Sequence, residues 1–481
     1  MNMTSKEFLG IAPTAWRRYA LLGVILSVAI WVACGDVFRP VAVPVTGNPP
    51  DPSNFHFAVV VSQNAPGSPS SAMQIDVSGD SNVGNAKLGL GPVHAALLPP
   101  AGGRVYVANN LNDTVSAFTP ATPCFVSPCP VSGTGTVTTI SLPAGSAPVF
   151  VHSTQTTKMY VADFGTAANP GSNNVAVIDA QNNVVSSLIP LSGRPTVLAE
   201  TPNGQKVYAV NQGDNTVVPT LTASVTPINT VDNSTGTPIT SLTSPVWAVA
   251  SSDNSSLFVL DSATGLISVI DTTTDTVASV TPAAESAGVG ANFMFLDRHL
   301  NRLYVTNPVA NTLAVYNAAV NNISTATPPK LMTAAPIQLP AGASSPVMVT
   351  SLQNGTNAYV VSYQIVGNAL SSEVTVIRNT DNKVVATPIH LASVNLASIP
   401  AAALATCQNP ILTRFRTSIA SSVDGSRVYV SVCDAGTTFV LNTSNNTVVL
   451  PSGMLSPVSS YPPVTGLQPP PQNPVLVVTS P

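Results

Sequence analysis

A short apolar strand carrying one aromatic residue recurs along this chain at a nearly constant interval, and this limits the available folds more than any other feature. It reads Val105-Tyr106-Val107-Ala108-Asn109, Met159-Tyr160-Val161-Ala162-Asp163, Val207-Tyr208-Ala209-Val210-Asn211 and Leu257-Phe258-Val259-Leu260-Asp261. It continues as Leu303-Tyr304-Val305-Thr306-Asn307, Ala358-Tyr359-Val360-Val361-Ser362 and Val428-Tyr429-Val430-Ser431-Val432. A degenerate copy, Ala58-Val59-Val60-Val61-Ser62, precedes them all. The anchor positions lie 47, 54, 48, 50, 46, 55 and 70 residues apart. A repeat of this size buries its apolar face only against neighbouring copies, and a period near 50 suits a sheet rather than a helix pair.

The flanks of the repeat agree with a sheet. Hairpin signals precede the aromatic at Gly102-Gly103, Asn203-Gly204, Asn354-Gly355 and Asp424-Gly425, where Asn-Gly and Asp-Gly supply the positive φ of tight turns. An earlier apolar strand is often opened by proline, as at Pro92-Val93, Pro148-Val149, Pro195-Thr196, Pro245-Val246 and Pro346-Val347. A third strand follows, such as Val175-Ala176-Val177-Ile178-Asp179, and a fourth, such as Val184-Val185-Ser186-Ser187-Leu188-Ile189. The composition fits: 44% hydrophobic residues broken up by 44 prolines and 30 glycines. The expected fold is all-β, a β-propeller of four-stranded antiparallel blades. Strand count gives eight blades, with seven as the alternative. The first repeat lacks an inner strand, and residues 474–480 read like the missing one, so they should pair with 55–62 and latch the ring. The aromatics Tyr106, Tyr160, Tyr208, Phe258, Tyr304, Tyr359 and Tyr429 should pack between blades.

On these residues the chain resembles the YVTN-type β-propeller repeat, present literally as Tyr304-Val305-Thr306-Asn307. The Asn-Thr-Val and Val-Ile-Asp elements of that repeat match at Asn215-Thr216-Val217 and Val269-Ile270-Asp271. The resemblance covers roughly residues 55–481. It implies the architecture and leaves the function open, because such propellers serve many roles.

The N-terminus carries an address. Trp16-Arg17-Arg18 closes a positive segment, and residues 19–33 are almost uninterruptedly apolar. That length is short for a membrane span and suits a signal-peptide core. Val32-Ala33-Cys34 is similar to the end of a bacterial lipoprotein signal; a plain secretory signal or an uncleaved anchor helix is the alternative. The resulting division is a signal peptide over 1–33, a lipidated Cys34 with a proline-rich tether over 34–54, and the propeller over 55–481. Gly35, not aspartate, follows the cysteine, so the resemblance implies an extracytoplasmic, lipid-anchored protein of the cell envelope, at the outer membrane.

Giving Cys34 to lipid leaves Cys124, Cys129, Cys407 and Cys433, an even set in an oxidising compartment. Cys124 and Cys129 share one loop, whereas Cys407 enters the last blade and Cys433 ends its second strand. The economical pairing is 124–129 and 407–433, with free buried thiols as the alternative.

Motifs for chemistry are sparse. Only 8% of residues are charged and the net charge is −4, which argues against a nucleic-acid footprint. No metal or cofactor motif stands out, so none is expected. Asn109, Asp163, Asn211, Asp261 and Asn307 share one position after the second strand; repeat symmetry makes them a polar ring on one face or, preferably, turn closures. Residues entering the inner strands rim the channel, and these are the ligand-binding candidates: Arg194, Trp247, Asn292, His94 and His152. The preferred reading is a monomeric binding or scaffold protein, anchored to the membrane by lipid and contacting an envelope protein or glycan. The alternative is an enzyme, a lactonase-like hydrolase or a periplasmic redox component, working at the channel mouth.

Overall fold

Positive-φ residues cut the chain into hairpins. The turn between third and outer strands carries Asp80, Asn183, Asn233, Asp275, Asn382 or Asn446 in six of the repeats, each with φ between 50° and 60°. Aspartate and asparagine tolerate this left-handed conformation better than other side chains. The computed structural model describes residues 56–63, 70–77, 80–98, 104–120, 136–153, 157–166, 169, 172–218, 220–319, 328–385, 387–399, 401–408, 415–449 and 473–480. Cys34, Cys124 and Cys129 lie outside these residues.

The strands pair antiparallel into eight sheets, one per repeat. The inner strands of blades two to eight are Pro92–Leu97, Pro148–Ser153, Arg194–Glu200, Pro245–Ala250, Phe293–Asp297, Pro346–Ser351 and Thr417–Ser421. In blade one the inner place belongs to Pro474–Thr479, which pairs antiparallel with Phe57–Ser62 from the other end of the chain. Each inner strand touches the next, all the way round and back to the start, so the blades form a closed ring. Their outer edges are less regular. Blade four has three continuous strands, its outer edge being reduced to bridges at Val225–Ile239 and Ile228–Thr235. The outer edges of blades six and seven are each split into two short strands. Pro238, Pro336 and Pro388 lie in these three segments, and each removes a ladder donor. One α-helix occurs among the described residues, Ala401–Cys407. Its last residue forms a disulfide with Cys433, with Cα atoms 5.7 Å apart, as the spacing within blade eight suggested.

The core lies between blades. Tyr106, Tyr160, Tyr208, Tyr304, Tyr359 and Tyr429 have no exposed surface, and Phe258 almost none. Tyr106 clusters with Val151 and Met159 of the next blade, and Tyr429 with Met73 and Ile75 of blade one. Their phenol oxygens do not end in solvent. Those of Tyr106, Tyr160, Tyr304 and Tyr359 donate to the Oδ1 of Asn183, Asn233, Asn379 and Asn446 at 2.6–3.2 Å, and that of Tyr208 to Asp275 Oδ1 at 2.6 Å. Four of those five acceptors are the positive-φ turn residue of the following blade.

A cation two residues before the tyrosine reaches the same turn. Lys206 Nζ donates to Asp275 Oδ2 at 2.7 Å, Arg104 Nη1 to Asn183 Oδ1 at 3.1 Å, and Arg302 Nη1 to Asn382 Oδ1 at 3.2 Å. At the seam, Arg427 of blade eight holds Asp80 of blade one through Nε and Nη2, both at 2.9 Å. Blade five departs from the pattern in both residues at once, with Ser256 and Phe258. Among the described residues the blade it faces has no positive-φ residue between its third and outer strands, which residues 318–329 connect.

Candidate functional site

Five of the inner strands begin with proline and a sixth has it second, for a reason beyond edge position. In blades one to five and seven a β-bulge follows it, at Val475, Val93, Val149, Thr196, Val246 and Val347. A bulge bends its strand and re-aims the side chain after it. In four blades that next residue is His94, Phe150, Trp247 or Met348. His94 stacks on Phe150 at 3.7 Å, Phe150 meets Trp247 edge-on at 6.1 Å, and Trp247 lies 4.6 Å from Phe293. Phe293 in turn meets Phe415 at 6.2 Å. Phe150 and Trp247 belong to blades three and five, so their contact reaches past the inner strand of blade four. The five rings form one continuous row of contacts.

Next to this row, toward the ends of the inner strands, lies a cavity of about 550 Å3. Its wall comes from blades six, seven, eight, one and two and includes Phe295, Met348, Ile419, Ala420, Val477 and Val478. Six hydroxyls also border it, and the protein engages each of them. Ser351 Oγ donates to Asp297 Oδ2 at 2.6 Å, Ser421 Oγ to the Ser351 carbonyl at 2.9 Å, and Thr479 Oγ1 to the Ser421 carbonyl at 2.8 Å. Ser422 Oγ donates to Asp424 Oδ1, Thr350 Oγ1 shares a hydrogen bond with Ser421 Oγ, and Ser480 Oγ accepts from Phe57 N. The wall is therefore mostly apolar, with the Gln353 side chain as a further polar group at its border. The volume lies within the range of ligand pockets.

Ionisable groups gather in another arc of the channel. His152 Nε2 lies 3.2 Å from Glu200 Oε2, and Glu200 Oε1 has no hydrogen-bond partner among the described residues. Burial, with His152 nearby, pushes His94 down to about 3, so that ring is neutral near pH 7. The structure thus places His94 and Trp247 in one aromatic row, with His152 beside it. Arg194 lies apart, at the start of its strand, where Nε meets Asp214 Oδ2 at 3.0 Å. Asn292 accepts from Thr306 Oγ1 at 3.1 Å and joins neither group. Sequence reasoning missed Phe150, Phe293, Phe295 and Met348. For Phe150 and Met348 the available signal was the residue after a Pro-Val pair; Phe293 and Phe295 follow no such pair.

The repeated Asn/Asp position is buried, not displayed on a face. Asn211 Nδ2 donates to Ser224 Oγ and Thr226 Oγ1, Asn109 Nδ2 to Thr114 Oγ1 and Ser116 Oγ. Asp261 closes turns, accepting from Thr243, Ser244 and Ala263 N–H groups. Asp163 is the exception, since both its oxygens are buried and meet no hydrogen-bond partner of good geometry among the described residues, although the Ser146 hydroxyl lies near. Ala176 stands where blades two and four carry Ser116 and Thr226. Burial holds the Asp163 carboxyl well above the usual carboxylate range, with the Ser146 hydroxyl acting against this and Asp113 reinforcing it. A carboxyl raised on folding contributes fully below its unfolded pKa of about 3.9 and less as pH rises toward its folded value. Asp163→Asn should therefore remove a loss of stability with rising pH, and add roughly 1–3 kcal/mol at pH 7. Urea unfolding at pH 4 and pH 7 checks this; equal gains at both would contradict it.

No protein-family model matches the chain, and no curated protein matches it. Solved structures do match. The dihydro-heme d1 dehydrogenase NirN, in complex with DHE, superposes with a TM-score of 0.56 at 12% identity, over 84% of this chain and 75% of that one. AztD from Citrobacter koseri superposes with a TM-score of 0.53 at 10% identity, over 88% and 98%. The periplasmic gluconolactonase PpgL of Pseudomonas aeruginosa gives 0.48 at 15% identity, over 71% and 96%. The chain is an eight-bladed β-propeller. At these identities the likeness shows the fold alone. Within this propeller, the aromatic row with the mostly apolar cavity beside it is the candidate site.

Proposed function

We propose that this propeller is a lipid-anchored, extracytoplasmic binding protein of YVTN-repeat type that takes an apolar group into its central cavity. The cavity carries the reading. Its wall is mostly aliphatic and aromatic, with Gln353 at its border, and each bordering hydroxyl is already bonded within the protein. Transfer of apolar surface is then the main source of affinity, at about 25 cal/mol per Å2. The extracytoplasmic location draws on the apolar segment 19–33 before Cys34 and on the Cys407–Cys433 disulfide, since disulfides persist in oxidising compartments. Labelled palmitate should enter the wild-type protein and not Cys34→Ala; equal labelling would sink the anchor while leaving the cavity untouched.

The cavity is tested by filling it. Ala420 lines it, so Ala420→Trp should block the space without deleting any wall. An apolar fluorophore such as N-phenyl-1-naphthylamine is titrated into both full-length proteins at the same detergent concentration. The wild type should bind it at least tenfold more tightly than the variant. Matching curves would refute the reading. The enzyme alternative, a lactonase-like hydrolase or redox component, has the His152–Glu200 pair in its favour, and His152→Ala should leave fluorophore binding unchanged.

A further inference from the structure

A second pocket, of about 370 Å3, opens at the other end of the inner strands, between blades three and four. It is lined by Phe164, Gly165, Arg194, Gln212, Gly213, Asp214 and Asn215. Arg194 is buried, its side chain 8% exposed, and it is held on three sides. Nε donates to Asp214 Oδ2 at 3.0 Å, and Nη1 to the Phe164 and Gly165 carbonyls, both at 3.1 Å. The guanidinium lies over the Phe164 ring, 5.1 Å from its centroid. Asp214 is itself occupied, since its Oδ1 accepts from the Thr216 N–H and hydroxyl. The backbone packs tightly around this group. A Cβ at Gly193 would lie 2.6 Å from Asn211 Cβ and from the Thr222 carbonyl, and Gly165 sits at φ 75°.

This leaves one nitrogen of the arginine, Nη2, without a hydrogen bond among the described residues. The exposed side chains of Gln212 and Asn215 line the same pocket, also without side-chain hydrogen bonds among those residues. We propose that this pocket binds a neutral, polyhydroxylated ligand, a carbohydrate, through Arg194 Nη2 and the Gln212 and Asn215 side chains. The geometry argues against an anion. Bidentate recognition of carboxylate or phosphate needs two adjacent guanidinium nitrogens, and Nε and Nη1 are both taken. The Asp214 carboxylate on the same guanidinium cancels its charge and repels a second anion. A sugar hydroxyl both donates and accepts. It can take the Nη2 hydrogen and satisfy a carboxamide at the same time.

The test is calorimetric titration of the full-length protein with cellobiose, chitobiose and inorganic phosphate. One of the two saccharides should bind and phosphate should not compete with it. Gln212→Ala and Asn215→Ala change exposed side chains and should leave folding intact, so their effect reads the site directly. Each should weaken saccharide binding about tenfold, and Arg194→Lys should abolish it. Failure of both saccharides to bind, competition by phosphate, or binding that survives both carboxamide variants unchanged would each overturn the proposal. None of these outcomes bears on the channel cavity, which the fluorophore titration reads separately.

Discussion

Removal of residues 474–481 is expected to abolish the cooperative unfolding transition of the ring, or to lower its midpoint drastically. This segment supplies the inner strand of blade one, and Val475, Leu476 and Val477 are at most 7% exposed. Burying each such side chain contributes about 1.5–3 kcal/mol, so the three together contribute about 5–9 kcal/mol. A whole domain is stable by only about 5–15 kcal/mol. The loss has a second consequence. Phe57–Ser62, a fully buried strand, would become a bare edge with unpaired backbone groups, a template for association with other chains. Circular dichroism should show the missing transition, and size-exclusion chromatography should show aggregates. A peptide spanning 473–481, added in trans, should partly restore both. An unchanged melting curve would mean that the ring closes without its last strand.

Tyr208→Ala should destabilise the protein by about 3–5 kcal/mol, through lost burial and the cavity left behind. The hydroxyl can be separated from the ring. Tyr208 donates to Asp275 Oδ1 at 2.6 Å while Lys206 holds Oδ2 of the same carboxylate, so Tyr208→Phe should cost about 1.5–3 kcal/mol, the range for a hydrogen bond to a charged group. The reverse change elsewhere should also harm. Phe258 faces a blade whose third and outer strands are joined by the long segment 318–329. Phe258→Tyr therefore buries a hydroxyl away from any tight-turn acceptor and should cost about 1–3 kcal/mol. Urea unfolding of the three variants decides it. Stabilisation by Phe258→Tyr would show that the inter-blade bond does not depend on the turn.

The blade number and the burial of the aromatics were legible in the sequence because both are local and repeated. One strand with one aromatic, copied at intervals near 50 residues, needs the same neighbour each time, so seven tyrosines and phenylalanines announce their own packing. The Cys407–Cys433 bond could be read for the same reason, since both cysteines belong to one blade. Other features required positions that no repeat specifies. The phenol partners Asn183, Asn233, Asp275 and Asn446 lie 67 to 87 residues beyond their tyrosines, and each looked like an ordinary turn residue.

The candidate sites show the same division more sharply. The chain by itself determined which strands are inner, and so that His94, Trp247 and His152 would approach the channel. Only the closed ring decided that His94 and Trp247 join Phe150, Phe293 and Phe415 in one row, because two of its contacts, Phe150–Trp247 and Phe293–Phe415, skip a blade. It also separated Arg194 from them, since the arginine opens its strand before the proline and is held by Asp214 and the Phe164 and Gly165 carbonyls. The physical reason is that strand pairing is fixed by local alternation and turns, whereas the shape left at the axis depends on eight side chains per layer meeting at once. A single substitution from proline-valine-aromatic to a smaller residue would leave the blade intact and change the channel.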